Sequence, residues 1–146
     1  MRTLILGFDN DLLQPFDEQN AVQLPVTLAT STYFQKGAFV ELVPGGTANQ
    51  IRPVPSGVVG TPIGLFIRNA ITDSAGNITL GTPAAGNEQF ATIQSATVMT
   101  SGHFKTSDLV QTGAGAINSA YVTPGNRNAI GRLVTGTTAN GTIKLN

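Results

Sequence analysis

The chain has no cysteine, no tryptophan, a single histidine and only 11% charged residues. Without cysteine, neither a disulfide framework nor a thiolate metal site can form, and redox compartment places no constraint on folding. His103 is the one histidine, so any metal site would have to be completed by carboxylates. Ordinary soluble domains carry about 25% charged residues; here Gly, Thr, Asn and Ala fill the difference. That composition lacks the Glu and Lys of surface helices and the high net charge of disordered chains. It suits twisted sheets joined by Gly and Asn turns.

Long apolar runs are also missing. No segment approaches the ~18 consecutive apolar residues that read as a membrane helix. The opening "MRTLILGFDND" is too short for a secretory core and has no small-residue cleavage site. An unsecreted protein made in the cytoplasm is expected, with Asn77-Ile-Thr and Asn140-Gly-Thr as incidental glycosylation patterns. Eight Lys and Arg balance eight Asp and Glu, so no net field recruits a phosphate backbone or an anionic membrane. Neither partner is expected, and any protein contact should depend only weakly on salt.

What is present is a β pattern. At 146 residues the chain suffices for one domain that buries roughly 68–70% of its unfolded surface. From Lys36 onward, short β-prone runs alternate with Gly-rich turns: "GAFVELV", "QIRPV", "IGLFIRNA", "ITL", "GHF", "AIGRLV" and "TIKL". In "IGLFIRNA" the alternation puts Ile63, Leu65 and Ile67 on one face and Gly64, Phe66 and Arg68 on the other. The longest β-prone run is "EQFATIQSATVMT", residues 88–100. An all-β chain of roughly ten short strands, with at most one helical turn, is expected.

Similar landmarks recur about 65 residues apart. Gly37 and Phe39 match Gly102 and Phe104, Ile63-Gly64 matches Ile130-Gly131, and Leu80 matches Leu145. The expected architecture is a small β-barrel or sandwich with two pseudo-repeated β-units, about 37–80 and 102–145, within a core domain of 37–146. Residues 1–36 read as an extended N-terminal arm or edge element, with Pro25 barring a central-strand position.

No chemical signature emerges. "FDND" opens like a calcium loop, but Gln14 stands where Gly is required and Asn20 where a bidentate Glu is required. "VPGGTANQ" and "VVGTPIG" lack the Gly-Lys-Ser/Thr ending of a phosphate loop. Nothing in the spacing of Asp17, Glu18, Glu41, Asp73, Glu88 and Asp108 singles out a catalytic carboxylate pair. Ser101 lies two residues from His103, yet no third group is implied, and there is no nucleophile elbow. The seven Phe and two Tyr are scattered rather than clustered as a stacking platform. No catalytic, metal or cofactor residues are assigned.

Taken together, "KGAFVEL", "GTPIGLFIRNAITDSAGN", "ATIQSATVMTSGHFKTSDLV" and "NAIGRLVTGTTANGTIKLN" resemble the capsid decoration, or cement, proteins of tailed bacteriophages. In that family a Gly-led strand precedes an Ile-Gly-type segment, a turn and a central strand, and then a second such series. The resemblance covers about residues 36–146 and rests on Gly and apolar spacing; the long N-terminal segment and the Pro-rich first connector depart from it. It implies a virion protein on the capsid surface, a homo-oligomer with a trimer favoured over a dimer, bridging neighbouring subunits of the major capsid protein. The alternative reading is a carbohydrate- or receptor-binding β-module of a fibre or adhesin.

Within that reading the apolar residues of the N-terminal segment, Leu4, Ile5, Leu6, Phe8, Leu12, Leu13 and Phe16, are the expected partner interface, added to a sheet edge or filling a seam. Ordering twenty free residues costs more than burying these seven side chains returns. The segment is therefore expected to be partly docked before it meets a partner.

Overall fold

The computed structural model describes residues 12–16, 21–80, 92–93 and 96–146, with backbone alone at 78–80 and 92–93. Five strands close into a barrel: β1 (Val22–Leu28), β3 (Phe39–Leu42), β4 (Gln50–Pro53), β5 (Pro62–Phe66) and β9 (Ala96–Lys105). They pair in the order β1-β4-β3-β5-β9, and β9 returns to β1. All junctions are antiparallel except β1 with β4, which run parallel through Thr27↔Gln50 and Leu28↔Ile51. Closure removes the exposed edges an open sheet would leave.

Each barrel strand sends an apolar side chain inward. Val26 and Leu28 of β1, Val40 of β3, Ile51 of β4, Phe66 of β5 and Val98 of β9 form one buried cluster, completed by Phe34 and Ala70. The opposite faces of β3, β5 and β9 are buried as well. Phe39, Leu65 and Met99 there join Leu13, Phe104, Leu109, Tyr121, Val122, Ile143 and Leu145 in a second cluster. The C-terminal part of the chain covers the outer barrel wall, which is why β5 reads as continuously apolar.

Two register shifts decide which cluster a side chain enters. On β5, Val40 pairs with Gly64 but Glu41 pairs with Pro62, so Ile63 is an extra residue. Such a bulge reverses the alternation, and Ile63 packs on the inner cluster instead of sharing the face of Leu65 and Ile67 as simple alternation predicts. On β9, Gln23 pairs with Met99 and Val22 with Ser101, leaving Thr100 as the extra residue. Phe104 shares sequence parity with inward Val98 and nevertheless joins the outer cluster.

β9 continues past the barrel. The expected run at 88–100 and the expected "GHF" strand meet in one ten-residue strand. Within it Gly102 adopts φ +127°, a backbone region closed to most L-residues. From Gly102 to Lys105, β9 pairs with β11 (Gly141–Leu145), and β11 with β10 (Gly131–Gly136), so barrel and C-terminal hairpin share one strand. A separate sheet contains β2 (Tyr33–Phe34), β6 (Ala70–Thr72), β7 (Ile78–Leu80) and β8 (Thr92–Ile93).

Among the described residues, two 3-10 turns, Thr106–Asp108 and Ser119–Val122, replace the single helical turn expected at most. Short side-chain contacts make the second local: the Asn118 carboxamide oxygen accepts from the Ala120 amide at 2.9 Å. Thr106, fully buried, uses its hydroxyl to accept from the Gly141 amide at 2.7 Å and to donate to the Gly141 carbonyl at 3.1 Å. That hydroxyl anchors the β10–β11 hairpin to the barrel.

The boundary drawn at residue 36 is not where the structure divides. β1 is a barrel strand and Phe34 is fully buried, so residues 22–36 belong to the core. Pro25 lies opposite Thr97 on β9 but outside the short pairing of β1 with β4, so its missing N–H costs the barrel no ladder bond there. The two pseudo-repeats also play different parts. The first supplies β3, β4 and β5 to the barrel and the β6–β7 hairpin to the small sheet; the second supplies the end of β9 and the β10–β11 hairpin. Their shared Ile-Gly has one cause: a Cβ at Gly64 would strike the Met99 carbonyl, and one at Gly131 the Lys144 carbonyl.

Candidate partner-binding surface

Among the described residues the carboxylates are placed as structural or solvent groups. Glu41 forms an ion pair with Arg52 at 2.8 Å and also accepts from the Thr61 amide at 3.3 Å. Asp73 closes the turn between β6 and β7, accepting from the amides of Ala75 and Asn77 at 2.9 Å each. The Asn77 amide, followed by those of Ala75 and Gly76 and the Asn77 side chain, holds the Asp73 carboxyl below its ordinary pKa against a smaller opposing effect of burial. Asp108 is exposed. No three His, Asp or Glu side chains converge among the described residues, and no described helix is long and apolar enough to cross a membrane. The "VPGGTANQ" glycines serve the β3–β4 connection, where Gly45 and Asn49 take φ of +72° and +60°.

The residues expected at a partner interface separate into three groups. Leu4, Ile5, Leu6 and Phe8 lie outside the described residues. Leu13 is only 4% exposed and belongs to the outer cluster, with Leu12 packed partly against it. Leu13 is thus a core residue of the chain itself and is removed from the expected interface. Its amide donates to the Ile67 carbonyl at 2.7 Å, and that of Phe16 donates to the His103 carbonyl at 3.0 Å. These bonds fasten residues 12–16 across the wall between β5 and β9.

Phe16 remains 56% exposed and rests on the His103 ring at 5.4 Å. On the same strand, Ser101 pairs with Val22 and Val98 with Leu24; Val22 and Leu24 are 54% and 39% exposed. Phe16, Val22 and Leu24 therefore follow one side of β9 as an apolar strip. Only Phe16 was legible in the sequence. Val22 and Leu24 fall in the stretch that reads as an arm or edge element; they share the alternation of Val26 and Leu28 but lie at the barrel end where the cluster stops.

A second apolar feature is the loop between β4 and β5. Val58 and Val59 are about half exposed and border a cleft of about 190 Å³ lined also by Val54, Ala116 and Ile117. Next to them the Gly60 amide donates to the buried Tyr121 hydroxyl at 3.0 Å, and the Gly60 carbonyl accepts from Asn128 Nδ2 at 2.7 Å. Two long-range bonds hold the loop in place. Its sequence signal, Val-Val between Gly57 and Gly60, reads as a plain connector.

Charge is unevenly placed despite the zero total. Four of the eight acids, Asp9, Asp11, Asp17 and Glu18, fall within residues 9–18. Net charge alone implied a contact that depends only weakly on salt; this clustering of acids along the sequence withdraws that implication for any surface where the cations gather. Comparison of the chain with family models, with curated proteins and with solved structures finds no match.

Proposed function

We propose that this chain is a structural decoration protein that attaches to the outer surface of a tailed-phage capsid and bridges neighbouring major capsid subunits. The observation that carries the reading is the apolar strip of Phe16, Val22 and Leu24 on a closed barrel. Contiguous exposed apolar side chains mark protein contact surfaces more often than solvent faces. The resemblance of residues 36–146 to decoration proteins supplies the class of partner.

The strip is small. Covering its half-exposed side chains contributes on the order of 1 kcal/mol each, too little to hold a monomer on a shell. Cyclic association solves this, because several copies of one weak contact act together. A trimer clamped over adjacent capsid subunits is the proposed working form.

Co-sedimentation with shells of the phage whose genome carries the sequence tests the proposal. Saturable binding at a fixed ratio to capsid subunits, lost on Phe16→Asp with Val22→Asp, is the expected result. Shells that sediment without the chain at saturating concentration, or reproducible binding to a glycan array instead, would overturn it.

A further inference from the structure

The strand register gathers cationic side chains on one face of the C-terminal sheet. Arg132 on β10 stands opposite Lys144 on β11, and Lys144 opposite His103 on β9; the neighbouring pair on the same face is Thr142 with Lys105. The other face of this sheet carries Leu133, Ile143 and Phe104, which pack into the outer cluster. Arg132 and Lys105 are exposed, and Lys144 and His103 half-buried. The one ion pair among the described residues, Arg52 with Glu41, does not involve Arg132, Lys144 or Lys105.

Like charges directly opposite on neighbouring strands destabilise a sheet. Arg132 and Lys144 carry that penalty in a chain with ample Thr and Asn for such positions. We infer that the pair Arg132 and Lys144, flanked by Lys105, is a docking surface for a carboxylate-rich patch on a protein partner. Carboxylates spaced by the roughly 5 Å between strands match the pair, and the Arg guanidinium donates two parallel hydrogen bonds to a carboxylate. His103 adjoins Lys144, and there Phe16 begins the apolar strip, so the pair and the strip form one surface with an apolar part and a basic part. The zero total charge favours a local acidic patch over a long phosphate backbone, which is captured by an extended positive field.

The inference extends the capsid reading without depending on it. The test is a titration of the isotope-labelled full chain with a short oligoglutamate peptide, followed by amide chemical shifts. Shift changes should concentrate on residues 103, 105, 132, 142 and 144. R132Q with K144Q should weaken binding about tenfold or more without loss of fold, while R127Q, on an exposed turn, should leave it unchanged. Scattered shift changes, or an equal effect of R127Q, would refute a specific site. Tighter binding of an oligothymidylate of equal charge would reassign the surface to nucleic acid. A gain in peptide affinity on D17N with E18Q would mean that the chain's own acidic stretch occupies the pair, which also overturns the inference. Absent shell binding with intact peptide binding would sink the capsid reading alone.

Discussion

Replacing Leu13 by Ala asks whether the N-terminal segment belongs to the fold or waits for a partner. Leu13 is 4% exposed and packs with Ile67, Met99 and Phe104 in the outer cluster. Losing its three outer carbons forfeits about 2.4 kcal/mol of transfer free energy at about 0.8 per carbon. A cavity term raises Leu→Ala costs to about 2.7–5.0 kcal/mol where the surroundings cannot relax. Here clefts of about 250 and 410 Å³ already open beside Leu13, so water and neighbours can fill the space and the cavity term is small. The expected loss is about 2–3 kcal/mol in urea unfolding of the isolated chain, with an unchanged denaturant slope. Phe16→Ala, at 56% exposure, should cost less than about 1 kcal/mol. Equal stability of Leu13→Ala and the parent chain would refute the docked segment. Truncation should therefore stop before Leu12 if it is to report on binding without unfolding the core.

Other expectations follow from single contacts. Tyr121→Phe keeps the ring contact with Phe39 but strips the acceptor from the buried Gly60 amide, which should cost about 1–3 kcal/mol and loosen Val58 and Val59, visible as faster amide exchange at Gly60. Gly64→Ala drives a methyl into the Met99 carbonyl and should lose about 1–3 kcal/mol in the same unfolding assay, with no partner needed to see it. The depressed Asp73 pKa stabilises the β6–β7 turn fully above the ordinary aspartate range, and that contribution fades as pH falls through the lowered native value. Exchange protection of the Ala75 and Asn77 amides should drop in that acid window; protection unchanged in acid would contradict the assignment.

The all-β class and the small barrel were legible because Gly-punctuated alternating runs have few other uses. The strand positions of "GAFVELV", "QIRPV" and "TIKL" follow from the same signal. Face assignment failed at Ile63, where one inserted residue inverts the alternation and leaves no mark in composition; the bulge at Thr100 inverts it in the same way ahead of Phe104. Assigning residues 22–36 to an arm overlooked barrel closure: β1 pairs with β9 across seventy or more residues of sequence, a separation that local pattern does not report. Of the site, Phe16 was readable as an apolar residue in an acidic stretch. The basic surface was not, because Arg132, Lys144 and Lys105 become neighbours only through two strand registers. Net charge concealed it by averaging over the chain.

Direct imaging of shells prepared with and without the chain tests the central claim most plainly. The account predicts added density of barrel size on the outer capsid surface, around threefold or quasi-threefold positions, with the Phe16 side of β9 turned toward the shell. Bare shells beside density at a tail fibre would contradict it and favour the receptor-binding module.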